Sequence, residues 1–297
     1  TAFAEEVFMA IKKVCVIGAG TMGNGIAQVL LQAGYDTVMV ATRQQSVDGG
    51  AAAIKDRLNK LVERGRFSQD EVDTALTKLS MSTDIRSAVA DADYVIESVH
   101  EKVDVKLAVF RELDEACPAE TVFGSNTSSI PLALLSSATK RPDKVCGMHF
   151  INPAPQMKLV EVGRALLTSD ETIKTTVNLV KSFNKEPVVV QDSPGFVNNR
   201  FCMIIFNEAA RILQEGLCSV EEIDKLMRLS INMPMGPFEM IDLVGVDIVV
   251  DSSEAIYRET GWERYKPEPI LKRMVEIGYL GNKVGKGFYT LFGSKKP

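Results

Sequence analysis

A glycine triplet constrains this chain more than any other feature. Gly18, Gly20 and Gly23 are spaced G-x-G-x-x-G and stand between segments of opposite periodicity. Before them runs Val14-Cys15-Val16-Ile17, short, apolar and rich in β-branched residues, as a buried strand is. After them, Gly25-Ile26-Ala27-Gln28-Val29-Leu30-Leu31 has helical spacing, and Gly34 closes it. Residues 37–40 form a second apolar strand, completing a βαβ unit. In that context Gly18 permits a tight turn, Gly20 lets the backbone close on a pyrophosphate, and Gly23 lets the helix pack on the strand. The turn, with Thr21 and Met22 between its glycines, is read as a dinucleotide site in which the helix N-terminus holds the anion.

The pattern continues with polar helices at 46–66 and 68–79, the second headed by Ser68 with Glu71 three residues on, a capping box. Strands are expected at 93–97, 121–124, 144–150, 159–162 and 187–190, with helices at 102–116 and 170–183. Such alternation means a parallel or mostly parallel sheet with helices on both faces. After Asp192-Ser193-Pro194-Gly195-Phe196 only helical periodicity remains, at 201–215, 220–229, 237–257 and 269–277. The chain therefore divides into an α/β dinucleotide-binding domain, 1–192, and a helical domain, 193–297.

Composition narrows the function classes. At 297 residues, 45% hydrophobic and 25% charged, the chain is that of a globular protein. The apolar stretch at 246–250 is broken by Asp247 and falls far short of the ~18 residues of a membrane span. A net charge of −5 argues against nucleic-acid binding by bulk charge, while allowing a local basic pocket for a phosphorylated ligand. Five cysteines without a CxxC pair, and two histidines, make a zinc cluster an unattractive reading. Four of the cysteines lie in apolar contexts and read as buried thiols of a reducing compartment. Residues 1–10 lack the basic start and apolar core of a signal peptide, so a cytoplasmic location is expected, with 1–8 as an extension before Met9.

His149 ends an apolar strand beside the loop Phe150-Ile151-Asn152-Pro153-Ala154-Pro155. A histidine among apolar residues is more often a satisfied core group than a catalyst, but Glu161 lies twelve residues on, where a strand pair would bring it to the imidazole. A neighbouring carboxylate fixes an imidazole's tautomer and favours its cation. A dehydrogenase needs that pair, because the histidine takes the alcohol proton as hydride departs. His100, in a charged loop, has no such setting.

The strings GAGTMGNGIA, SNTSS, GMHFINPAPQMKLVEV, DSPGFVNNR, PMGPFEMIDLVG and GNKVGKGFY follow one another from about Ile11 to Phe292. Together they resemble the 3-hydroxyacyl-CoA dehydrogenase family, in particular its short bacterial 3-hydroxybutyryl-CoA dehydrogenases. The resemblance implies a Rossmann-like N-terminal domain with a helical-hairpin insertion and an all-helical C-terminal domain that makes a homodimer. It implies interconversion of 3-hydroxybutyryl-CoA and acetoacetyl-CoA with a nicotinamide cofactor, in butyrate and fatty acid metabolism. His149 and Glu161 match its catalytic pair, Ser128 its active-site serine and Asn199 its substrate-side asparagine. Ser128 would hydrogen-bond the reacting oxygen or the cofactor carboxamide, and Asn199 would donate to the substrate carbonyl. Glu101, Lys106, Asn152 and Lys283 match cofactor contacts, against the alternative that the two lysines are solvated. Arg57, Lys60 and Arg64 share one helix face and read either as a cradle for coenzyme A phosphates or as a solvated charge run. The rival functions are a non-catalytic relative and a dehydrogenase of a hydroxy acid without coenzyme A.

One departure bears on the cofactor. An acidic residue normally ends the second strand and binds the ribose 2′-hydroxyl of NAD. Here Ala41, Thr42 and Arg43 stand in its place. The repulsion is gone and a guanidinium is available to a 2′-phosphate, so NADP(H) is expected to be favoured, with NAD(H) the alternative. A second expectation concerns assembly: 237–257 holds more apolar residues than one helix face can bury, as at a subunit interface.

Overall fold

Lys13–Ile17 forms β1, the strand around which the first part of the molecule is wound. The computed structural model describes residues 11–293, so the extension read at 1–8 lies outside the described residues. The chain divides into two compact units, one ending at Asp192 and the other beginning at Ser193.

In the first unit β1 is joined by β2 (Asp36–Val40), β3 (Leu79–Ser82), β4 (Tyr94–Glu97), β5 (Val122–Ser125), β6 (Val145–Phe150), β7 (Leu159–Arg164) and β8 (Glu186–Gln191). The sheet order is β3-β2-β1-β4-β5-β6-β7-β8, parallel throughout except for the antiparallel pair β6 and β7. The chain moves outward from β1 to β3 and then returns to place β4 on the other side of β1. Strand order thus reverses between β1 and β4, and open sheets of this kind take ligands at the carboxyl ends flanking such a point. Val14, Val16, Met39, Ile96, Met148 and Phe150 are buried between the layers, each contributing about 1.5–3 kcal/mol.

The helices that position the site are α1 (Thr21–Gln32), α2 (Gln44–Glu63), α3 (Gln69–Thr77), α4 (Ile85–Val89) and α5 (Val103–Ala116). The capping box on α3 is present: Ser68 Oγ accepts from Glu71 N–H at 3.2 Å, and Glu71 accepts from Ser68 N–H at 2.8 Å. The helix read at 68–79 ends early, however, and β3 follows it. Leu-Ser-Met-Ser carries no strand signal because an edge strand buries little; Met81 is 47% exposed. The hairpin of α2 and α3 is therefore the crossover from β2 to β3. The unit continues with α6 (Leu132–Ser136) and α7 (Asp170–Ser182).

The second unit packs α8 (Asn198–Gln214), α9 (Val220–Ile231), α10 (Pro237–Val244), α11 (Val246–Thr260), α12 (Pro269–Glu276) and α13 (Phe288–Leu291) around Phe206, Phe238, Val249, Ile256 and Phe288. The single helix expected at 237–257 is broken at Gly245, whose φ of 111° suits glycine. Its apolar surplus is largely consumed inside the unit. Phe238, Ile241, Val246, Val249 and Val250 are buried, leaving Leu243 and Ile248 about half exposed. Two buried aspartates explain the strings around them. Asp224 accepts from Phe238 and Glu239 N–H at the start of α10, and Asp242 from Phe288 and Tyr289 N–H at the start of α13. Of the cysteines, Cys15, Cys117 and Cys146 are buried, one fewer than expected; burial pushes the first two thiols up to about 12.

Candidate active site

The glycine turn is built from backbone. At Gly18 (φ 118°) a Cβ would stand 2.2 Å from Ser98 O, and at Gly23 it would stand 1.9 Å from Gly18 O. These two glycines are fixed by the chain's own packing, which brings the ends of β1 and β4 together. Gly20 differs: a Cβ there would meet nothing within 4 Å. The space before it faces the N-terminus of α1, which has no acidic residue in its first turn and no side-chain cap. Free N–H groups, a helix dipole and an open cradle fit a pyrophosphate.

The strand ladder builds the second element. His149 and Glu161 are directly paired in the antiparallel register of β6 and β7, and both are buried. His149 Nδ1 and Glu161 Oε2 are 2.8 Å apart. The bond places the proton of a neutral imidazole on Nδ1 and makes Nε2 the basic nitrogen. Beside it, Phe150 N–H donates to Asn126 Oδ1 at 2.8 Å, tying the end of β6 to the turn after β5. Asn126 had no role assigned from sequence, although it lies inside the SNTSS string.

A third element joins β4, α5 and that turn. Glu101 Oε1 accepts from Thr127 Oγ1 (2.5 Å), Ser128 N–H (3.1 Å), Ser129 N–H (3.1 Å) and Ser129 Oγ (2.9 Å). Its other oxygen lies 3.2 Å from Lys106 Nζ. Burial pushes this carboxyl up, but Lys106 and the hydroxyls of Thr127 and Ser129 outweigh it and hold the group below its ordinary value.

Residues 13–193 match the 3-hydroxyacyl-CoA dehydrogenase NAD binding domain, and residues 195–291 match the 3-hydroxyacyl-CoA dehydrogenase C-terminal domain. The chain belongs to the 3-hydroxyacyl-CoA dehydrogenase family. It is an oxidoreductase chain with an NAD-binding domain. A 3-hydroxybutyryl-CoA dehydrogenase of Clostridioides difficile is 43% identical over 277 residues, covering 93% of this chain and 98% of its own. A probable 3-hydroxybutyryl-CoA dehydrogenase of Bacillus subtilis is 40% identical, covering 95% and 98%. Among solved structures, the (S)-3-hydroxybutyryl-CoA dehydrogenase of Ralstonia eutropha has a TM-score of 0.90 at 39% identity, covering 96% of this chain and all of the other.

Several residues of this dehydrogenase sit differently from expectation. Lys106 is not a solvated lysine and has no surface to offer a cofactor: it is 1% exposed, and its ammonium is held by Glu97 and Glu101. It acts on its surroundings through those carboxylates. Arg57, Lys60 and Arg64 do not form one cradle. The Arg57 guanidinium is turned onto α1, donating to Gln28 Oε1 at 2.6 Å and Asn24 Oδ1 at 2.7 Å. Lys60 is paired with Asp56, and Arg64 caps the end of α2 in the open. Asn152 is exposed on the loop after β6. In the second unit, Asn199 lies in the first turn of α8, and Lys283 is bound to both oxygens of Asp247 at 2.5 Å. Thr42 and Arg43 are exposed and Ala41 half-buried, with Arg43 at the N-cap of α2.

Proposed function

We propose that this chain reversibly oxidises a short 3-hydroxyacyl-CoA, the pair being 3-hydroxybutyryl-CoA and acetoacetyl-CoA, and that it prefers NADP(H). The observation that carries the reading is the buried 2.8 Å pair of His149 and Glu161 on β6 and β7 of the sheet whose β1 leads into the glycine turn. When bound, the nicotinamide supplies or accepts the hydride. In the oxidative direction His149 Nε2 takes the hydroxyl proton, and in the reductive direction the protonated imidazole returns it. Glu161 holds the ring and balances the cation. Ser128 orients the reacting oxygen, and Asn199 donates to the carbonyl as charge develops on it. Gly18, Gly20, Thr21, Met22 and Gly23 take the pyrophosphate; Glu101, Asn152 and Lys283 serve the rest of the cofactor, and Lys60 and Arg64 the coenzyme A phosphates.

Two observations support the cofactor preference. The acid that would repel a 2′-phosphate is absent after β2, and α2 has Arg43 at its N-cap and no acidic residue in its first turn. A 2′-phosphate there would meet a guanidinium and a helix N-terminus together. Absorbance at 340 nm tests both halves of the reading. Acetoacetyl-CoA should oxidise the reduced nucleotide and acetoacetate should not, and kcat/KM should be about tenfold higher with NADPH than with NADH. No oxidation with either nucleotide rules out the activity; a higher kcat/KM with NADH rules out the preference alone.

The reading includes a homodimer in a reducing, cytoplasmic setting. Among the described residues no helix is long and apolar enough to cross a membrane. The second unit leaves Phe201, Leu226 and Leu229 exposed, side chains that association would cover. Light scattering at micromolar concentration checks the assembly.

A further inference from the structure

Glu97 ends β4, and its side chain is wholly buried. It accepts three hydrogen bonds: from Val99 N–H at 2.7 Å, Lys106 Nζ at 2.6 Å and Ser125 Oγ at 2.6 Å. The contacts close a ring. Lys106 reaches on to Glu101, Glu101 grips Thr127, Ser128 and Ser129, and Thr127 N–H returns to Ser125 Oγ at 3.2 Å. Thr127 Oγ1 also accepts from Ile130 N–H at 3.0 Å. The backbone of β4 adds a further tie, Asn126 N–H donating to Glu97 O at 2.8 Å.

Stability does not explain such a ring. A buried ion pair is commonly matched or bettered by apolar side chains of similar volume. What the ring achieves is geometry: it joins the end of β4, the first turn of α5 and the turn after β5, the last of which carries Ser128. Without Glu97 the ammonium of Lys106 would have Glu101 as its one remaining carboxylate among the described residues, and Glu101 would be drawn off the turn. We propose that Glu97 is a positioning residue, acting through Lys106 and Ser125 to hold Glu101 against the 125–130 turn and so to fix Ser128 for the reaction. The reaction itself rests on the dehydrogenase reading above.

Glu97→Gln tests this with two readouts. In hydrogen exchange on the free protein, peptides across 125–130 should exchange about tenfold faster, with β1 and the second unit unchanged. In steady state kcat with acetoacetyl-CoA should fall about tenfold, KM staying within about threefold, and adding Glu101→Gln should cost no more than about threefold beyond either single change. Unchanged exchange across 125–130, or losses that multiply in the double variant, would overturn the proposal. Ser125→Ala leaves the ion pair whole and serves if Glu97→Gln does not fold. It should speed exchange across the same turn about threefold, and unchanged exchange there would likewise overturn it. Exchange needs no substrate, so a parent chain inactive on acetoacetyl-CoA would sink the dehydrogenase reading and leave this one standing on its own result.

Discussion

The glycine turn and the His149–Glu161 pair belong to one sheet, on strands separated by β4 and β5, and are made in opposite ways. The turn is contiguous in sequence and made of backbone: two of its glycines are required because another main-chain oxygen stands where a Cβ would go, and the third leaves a space. The pair is made of side chains from two strands and depends on register, since a one-residue slip of β7 would turn Glu161 to the other face. A backbone site draws its anion-facing N–H groups from one short stretch of chain. A side-chain site exists only after the sheet is assembled, and each group in it needs a further group to hold it, as Glu161 holds His149 and Glu101 holds the Ser128 turn.

The comparison can be broken first at the side-chain end, where the effect is largest. His149→Ala should lower kcat by ~10²–10⁴ with nucleotide binding and melting temperature close to the parent's. Glu161→Gln keeps the shape and removes the charge, so its loss should be smaller. Stopped-flow rates with fluorescence titration of NADPH check both, and parent turnover in the alanine variant would remove His149 from the mechanism.

At the backbone end the expected pattern inverts. Gly23→Ala places a methyl against Gly18 O, which cannot give way without opening the turn, at a cost of about 1–3 kcal/mol or more. Nucleotide binding and melting temperature should fall together. Gly20→Ala meets no protein atom, so the fold should hold while NADPH binding alone weakens, by about tenfold. Calorimetric melts beside a fluorescence titration separate the two, and identical behaviour of the two alanine variants would contradict the division of labour among the glycines.

The same division explains what the sequence made legible. The βαβ unit, the mostly parallel sheet and the helical second unit follow from period and glycine placement, which are local. The pairing of His149 with Glu161 was also readable, because a short loop between two apolar strands leaves few registers. β3 was not readable, since an edge strand of Leu-Ser-Met-Ser has no face that must be apolar. The break at Gly245 was hidden because 237–257 stays apolar on both sides of it. Nor does the sequence reveal whether a lysine is buried: Lys106 and Lys60 look alike as letters, and one is fixed by two carboxylates while the other pairs in solvent. Arg57 misled for the same reason, its partners Asn24 and Gln28 lying on another helix.

The smallest effect lies where backbone and side-chain construction meet, at Glu101, whose carboxylate takes two main-chain N–H groups and two hydroxyls. Its folded value lies below the ordinary 4.5 because Lys106 and those donors outweigh burial. A carboxyl with a depressed folded value adds stability above the unfolded value and loses it as pH falls through the folded one. Glu101→Gln removes that contribution. At pH 7 the variant should melt about 2–4 °C below the parent, a modest gap because the side chain is 36% exposed and partly screened. The gap should stay constant down to about pH 4.5 and close on further acidification, as the parent's carboxyl takes up its proton and the two chains become alike in charge. Melting curves of both chains between pH 7 and pH 3 decide it. A gap that widens towards acid would mean that the ionised Glu101 opposes the fold, and the turn bearing Ser128 would then need another anchor.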